Sequence, residues 1–283
     1  MAGSTLLVAT LALSAPSAFA VSLGVGLNAS ASATAGGSGT GASAGATLRA
    51  AALAKLISNA QARADQEITR RITALNALST RVNAMVKISA SDKSSLSSNI
   101  AAQVTAMNNL QAQIASDAAA NSTSSLKTDI QSITKSYRIF ILIIPQGAIE
   151  AASDRVLDIA GMFATLSAQL QTRITAAQSA GNNMSTSVSA LADMNAKVAD
   201  ANTQANAAVT EIASLQPDNG NTTIQASNTA ALKDARSKVQ AGQADLTAAR
   251  QDAGTIVKAL LAVKVSGSAS ASATSTTSAT TTP

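Results

Sequence analysis

Apolar residues recur every seven positions along most of the chain. Seven residues are close to two turns of an α-helix, so side chains at this spacing lie on one face. The segment from residue 47 to 88 carries two such rows side by side: Ile68, Leu75 and Val82, and beside them Ile57, Ala64, Leu78 and Met85. The spacing predicts long helices that pack along continuous seams, with Arg71 interrupting the second row.

The seams must be narrow. Hydrophobic residues make up 46% of the chain, but aromatic residues make up only 1%, and much of the apolar share is alanine. Small side chains let helices approach closely, whereas a thick globular core needs larger ones. The sequence therefore predicts a mainly α fold: an elongated antiparallel bundle of long, coiled-coil-like helices, with one short extended segment at about residues 138–145.

The first twenty residues have the pattern of an export signal. An apolar stretch at residues 6–13 is followed by Ala18, Phe19 and Ala20, a small-x-small site of the kind that signal peptidase cuts. We predict a mature start at Val21 and a protein that is secreted, periplasmic or held at the cell surface. The first twenty residues contain no Lys or Arg, so either translation starts upstream or the signal is a weak one.

Composition divides the rest of the chain into three parts. Residues 21–46 are rich in Gly, Ser and Ala and predict a flexible linker; residues 266–283 are a Ser/Thr/Ala tail that predicts disorder. The helical body spans residues 47–265. Its predicted helices cover about 47–88, 91–118, 124–136, 147–180, 183–215 and 228–265.

The connection near Gly181 has two interpretations. The seven-residue rows before and after it are in register, which would suit one long helix over residues 147–215. Gly181 is however a typical residue just past a helix end, and Asn182 and Asn183 can cap a new helix. These stop and start signals favour a hairpin.

The densest apolar run is YRIFILIIPQG, beginning at Tyr137. It is too short to span a membrane, and a helix continued through Pro145 would lose a hydrogen bond and clash with the preceding turn. Isoleucine is β-branched and residues before proline avoid the helical region, so we expect a buried, extended crossover. The candidate structural or interaction residues are Tyr137, Ile139, Phe140, Ile141, Leu142, Ile143, Ile144 and Pro145.

An extended segment needs hydrogen-bond partners. The candidates are the alternating stretch at 21–27, residues 263–265, or a second copy of the chain. Two further interpretations follow: residues 139–144 could form a membrane-inserting element, or copies could assemble through residues 21–27.

The composition argues against an enzyme. There is no His and no Cys, which removes the usual general base, thiolate chemistry and zinc ligands. Glu150, Asp154 and Asp158 lie four apart and could hold a divalent cation, but acidic residues near a helix N-terminus more simply complement its dipole. We expect no catalytic residue, cofactor or metal.

Basic residues are scattered over a chain of net charge +5, without interleaved aromatic residues. This pattern argues against nucleic-acid binding. A protein or cell-envelope partner, self-association and peripheral membrane contact stay open.

A resemblance to a group of proteins rests on five stretches of the body: ITRRITALNALSTRVNAM, SDKSSL, SYRIFILIIP, ALADMNAKVADA and AALKDARSKVQAGQADLTAARQDAGTIVKAL. Over residues 62–262 the chain resembles a family of exported, Ala-rich helical bacterial proteins of uncharacterised function. The resemblance implies export and a helical body, and no activity. The expected function is an exported, non-enzymatic structural, scaffold or interaction protein; a membrane-active protein and a self-assembling surface subunit are the alternatives.

Overall fold

The computed structural model describes the backbone of residues 40–135 and 137–274 and the side chains of residues 46–135 and 137–263. Within these ranges the chain forms six α-helices, one turn of π-helix and no strand. The elements are α1 (Thr40–Ala84), α2 (Ala90–Ala119), α3 (Thr123–Lys135), the π-helix (Ile139–Ile143), α4 (Ile144–Ser179), α5 (Ser185–Ile212) and α6 (Thr222–Thr274). The prediction of a mainly α bundle of long helices is confirmed.

The seven-residue rows form the core of the bundle. Every apolar residue of the two rows at 47–88 is buried, as are Leu232, Val239 and Leu246, which lie seven apart in α6. The seams between α5 and α6 are lined by small residues that are fully buried: Ala201, Ala205, Ala208, Ala235 and Ala249. Small side chains thus allow α6 to pack closely along α5.

The bundle consists of two groups of three helices. α1, α2 and α3 pack on one another, and so do α4, α5 and α6. Gln111 donates a 3.0 Å hydrogen bond to Asp65, and Lys93 binds the carbonyls of Asn83 and Met85. The start of α2 therefore lies beside the end of α1, and the two helices run antiparallel.

The two groups are staggered. Gly147 of α4 faces Leu78 of α1, and Asp154, two turns later, binds the backbone just after α1 ends. The later residue of α4 therefore contacts the later part of the first group, so α4 runs parallel to the end of α1 and continues beyond it. The remaining part of α4, to Ser179, adds roughly 37 Å at 1.5 Å per residue.

The connection between α4 and α5 is a hairpin, as favoured above. Gly181 has a positive φ of 83°, and its amide donates to the carbonyl of Gln178 at 2.8 Å. The amide of Asn182 donates to Ala177 at 3.1 Å. These bonds close the end of α4, and glycine accepts the required backbone conformation without strain.

The predicted extended segment at 138–145 is wrong. Residues 139–143 form a π-helical turn in which the amide of Ile144 donates to the carbonyl of Ile139. α4 then begins at Ile144, so Pro145 lies in its first turn, where proline is tolerated. The extended interpretation depended on the clash and the lost hydrogen bond of a proline inside a helix. The wider turn just before Pro145 removes that conflict. Residues 263–265, a predicted strand partner, belong to α6.

The three largest differences from the predicted boundaries are in α1 and α6. α1 begins at Thr40, inside the predicted linker, because the alanines that follow favour helix. α6 begins at Thr222 rather than near 228, since Asn221 accepts hydrogen bonds from the amides of Thr223 and Ile224. The backbone of α6 continues to Thr274, into the predicted disordered tail, where alanines recur and no proline intervenes. The predicted export signal (1–20) and the stretch at 21–27 lie outside the described residues.

In the described part of the chain, no helix is both long and apolar enough to cross a bilayer.

Gly147 allows a close contact between the two groups. A Cβ at this position would lie 2.3 Å from Leu78 Cδ1 and 2.9 Å from its Cγ, whereas a Cβ at Gly254 would meet nothing within 4 Å. Gly147→Ala and Gly254→Ala gain the same helix propensity, so their difference measures the contact. We predict that Gly147→Ala is less stable than Gly254→Ala by about 1–3 kcal/mol in urea unfolding.

Adding Leu78→Ala to Gly147→Ala provides the control. The smaller side chain removes the clash, so the double variant should be more stable than the sum of the two single effects predicts. Additive effects would contradict the contact between these residues.

Candidate functional site

The eight candidate residues lie at the junction between the two groups of helices, and most of them are in the core. Ile139, Leu142, Ile143 and Pro145 are buried, and Tyr137, Phe140 and Ile144 are partly buried. Ile141 alone among the eight is exposed, at 46%. Burial at positions 139, 142 and 143 continues at 146, 147 and 150, which is the spacing of one helical face. The prediction that both faces of this segment are buried is therefore wrong.

Phe140 binds the first group of helices through two arginines. The guanidinium carbons of Arg70 and Arg71 lie 4.7 Å and 5.2 Å from the centre of its ring. Both arginines also form ion pairs with Glu67. Burial lowers the pKa of Arg71, and the Glu67 carboxylate opposes this by favouring the charged form. The interruption in the α1 row is thus a cation–π contact with the junction.

Two polar side chains bind the second group to the same place. Arg138, whose φ is 42°, forms an ion pair with the buried Asp218 at 3.0 Å in the loop after α5. Gln146 donates to the carbonyl of Ile212 at 2.9 Å and of Leu215 at 3.2 Å. Gln146 therefore brings a donor to backbone carbonyls at and just after the end of α5, where a helix runs out of its own amide donors.

Asp154 holds the loop between α1 and α2. Its Oδ1 accepts hydrogen bonds from the amides of Val86 and Ile88, both at 2.9 Å, and from the amide of Lys87. Lys87 also forms an exposed ion pair of 3.5 Å with Asp158. The side chain of Asp154 thus anchors one group of helices to the other.

The two sequence-based interpretations of the three acidic residues fail for different reasons. α4 begins at Ile144, so Glu150 and Asp154 lie beyond its first turn and are buried, not placed to complement the dipole. Asp154 and Asp158 also bind different groups, and no group of three potential ligands in the described residues could hold a metal ion.

Glu150 lines a cavity beside the junction. The cavity has a volume of about 110 Å³ and lies between α2, the start of α4 and the end of α5 with its following loop. Its lining residues include Asp92, Leu96, Gln103, Ile143, Glu150 and Leu215. Two buried oxygens there, Glu150 Oε2 and Gln103 Oε1, accept no hydrogen bond from the protein.

The carboxyl group of Glu150 is unusually basic. Burial is the main cause that raises its pKa to about 7, and the negative charge of Asp92 adds to the effect. A carboxyl with this pKa changes charge near neutral pH. Such a group in a cavity is a candidate functional feature, as well as a cost to stability.

Sequence reasoning missed the polar residues of the junction. Arg138, Gln146 and Asp218 were not expected to make contacts between elements, although Gln146 and Glu150 fall on the face that starts at Ile139. The available signal was this periodicity, but the continuous apolar run at 139–144 obscured it.

The fold and the junction define a class: a mainly α protein of two staggered three-helix groups joined at a π-helical turn. No family model, curated protein or solved structure matches the chain. The resemblance to exported Ala-rich proteins stays a prediction.

Asp154 can be tested with two graded variants. Asp154→Ala leaves three backbone amides without their acceptor, so we predict a loss of about 2–4 kcal/mol in unfolding free energy. Asp154→Asn keeps one acceptor oxygen and should lose less. Asp158→Ala, which removes only an exposed ion pair, should cost less than about 1 kcal/mol. Equal losses at 154 and 158, measured by urea unfolding, would refute the anchoring role.

Glu150 should make stability depend on pH. Between its usual pKa of 4.5 and about 7, the folded state holds the proton more tightly than the unfolded state. The contribution of Glu150 to the unfolding free energy is therefore fully present below pH 4.5. It is lost as pH rises through 7, which lowers the unfolding free energy by roughly 3 kcal/mol. Glu150→Gln should remove this loss and be more stable than the wild type at pH 8.

The measurement is the difference in unfolding free energy between Glu150→Gln and wild type across pH 4–8, because the other acids cancel in the difference. A difference that does not change over this range would contradict the buried, unpaired state of Glu150.

Proposed function

We propose that the protein is an exported, non-enzymatic structural or scaffold protein that holds interaction surfaces apart at the cell envelope or outside the cell. The observation that supports this most directly is the staggered arrangement of its helices. Two three-helix groups that overlap only at their junction give a longer body than six helices packed side by side. Export rests on the pattern of residues 1–20.

The use of the junction residues also supports a structural role. Phe140 and Gln146 contact residues of other helices, and Arg138 and Asp154 bind the loops that follow α5 and α1. Their polar groups join helices rather than converging on one reacting position. This is the arrangement expected of a rigid spacer.

A membrane-active role is the second candidate, and the exposure of Ile141 is the observation that favours it. Insertion of residues 139–144 would have to remove Ile139 and Leu142 from the core. Ile141→Asp should leave helical circular dichroism unchanged because the side chain is exposed. Leakage of anionic liposomes that disappears in this variant would favour membrane activity over the scaffold.

Self-assembly is a further alternative. Leu48 in α1 and Leu261 in α6 are apolar and well exposed, and they could contribute to contacts between copies. Light scattering over a wide concentration range tests this, and a monomer throughout would count against it.

The elongated shape can be measured directly because the chain has no native cysteine. Cysteines introduced at Lys55 and Lys258 can carry spin labels on α1 and α6. The helix lengths between these sites and the junction predict a separation of about 70 Å, from 1.5 Å per residue. Labels at Lys87 and Asp158, whose side chains lie 3.5 Å apart, provide the short-distance control.

A distance between Lys55 and Lys258 well below that value, with the control pair still close, would mean that the two groups fold back on each other. That result would remove the support for a spacer.

A further inference from the structure

Two residues that line the cavity beside the junction carry a buried hydrogen-bond acceptor that lacks a donor. Glu150 is only 6% exposed, and its Oε2 has no partner within the protein. Gln103 Oε1 likewise has no hydrogen-bond partner in the protein. The side-chain nitrogen of Gln146, by contrast, donates to the carbonyls of Ile212 and Leu215. Buried acceptors of this kind are costly unless a donor reaches them.

The charge of the cavity is negative. Among its lining residues, Asp92 from α2 and Glu150 from α4 are the titratable groups, and α5 and the following loop contribute none. None of the described lining residues is a Lys or an Arg. An occupant that completes this site must therefore bring positive charge and hydrogen-bond donors.

Part of the cavity wall is apolar. It is formed by four aliphatic side chains: Leu96, Ile143, Val209 and Leu215. The volume of about 110 Å³ is several times the roughly 10–15 Å³ that one water needs by the same kind of measure. A bare metal ion would leave the apolar wall without a contact.

We propose that this cavity binds a small primary alkylammonium ion. The ammonium group donates hydrogen bonds to Glu150 and Gln103 and lies within the field of Asp92. The alkyl chain packs against Leu96, Ile143, Val209 and Leu215. This assignment satisfies the two buried acceptors, the net negative charge and the apolar wall together.

Binding competes with a proton on Glu150. The carboxylate must be ionised to pair with the ammonium group, and its pKa of about 7 means that most molecules are ionised at pH 8 and few at pH 6. The apparent affinity should therefore fall about tenfold between pH 8 and pH 6. Alkylammonium binding should in turn lower the pKa of Glu150.

The experiment uses n-butylammonium chloride as the probe, with the full chain at pH 8 and calorimetric titration as the readout. Residue-resolved NMR shifts at Gln103 and Ile143 locate the binding. Three compounds serve as controls: n-butanol, which lacks the charge; butyrate, which reverses it; and potassium chloride, which lacks the alkyl chain.

The variants separate the cavity from general electrostatic attraction. Glu150→Gln keeps the shape and is expected to be stable, so its loss of binding would not reflect unfolding. We expect at least a tenfold loss of affinity. Asp158→Asn removes one negative charge from the same helix outside the cavity and should bind as the wild type does.

Saturable binding of n-butylammonium that depends on Glu150 and weakens at pH 6 supports the site. No binding at concentrations well above about 1 mM would overturn it. An equal response to potassium chloride would show a site for simple cations instead, and equal binding by Glu150→Gln would show that the cavity is not the site; either result overturns the proposal. The spin-label distances test the elongated shape independently of whether the cavity binds n-butylammonium.

Discussion

The structure depends on how one helical face passes through the π-turn into α4. Ile139, Leu142 and Ile143 bury their side chains where the two groups of helices meet, and Gly147 continues that face against Leu78. The wider turn lets the chain carry Pro145 without leaving this face. A straight helix would place proline in its interior, where the ring clashes with the preceding turn.

Polar side chains at the junction add hydrogen bonds and an ion pair to the apolar contacts. Asp154 accepts the amides of the loop after α1, Gln146 donates to the carbonyls at the end of α5, and Arg138 pairs with Asp218 in the loop after α5. Each bond satisfies a backbone or charged group at an end of another element. These bonds are directional, so they fix how the two groups of helices are oriented at the junction. Apolar contacts between isoleucine side chains alone would not fix that orientation.

The sequence was sufficient to predict a helical body and most of its core residues, because the seven-residue rows are set by local spacing. Gly181 likewise identified the hairpin, since the backbone conformation it needs is one that glycine readily accepts. The junction could not be predicted in the same way. In residues 139–144 every side chain is apolar, so periodicity cannot distinguish a helix from a strand, and Pro145 then argued for the wrong alternative.

Glu150 illustrates a second limit of sequence reasoning. Its spacing from Asp154 and Asp158 suggested a shared role, yet the three carboxylates face a cavity, a backbone loop and a lysine. These surroundings come from α2, α5 and the loop after α1, which are distant in sequence. Burial of the acid and the basicity that results are therefore properties of the assembled junction.

The most direct test is residue-resolved hydrogen exchange of the folded protein. The account predicts that the amide of Ile144, bonded to Ile139 across the π-turn, and the amide of Ile88, bonded to Asp154, exchange about as slowly as the core of α4. If both amides exchanged as fast as those of an exposed loop while α4 stayed protected, the junction would not hold the two groups of helices together.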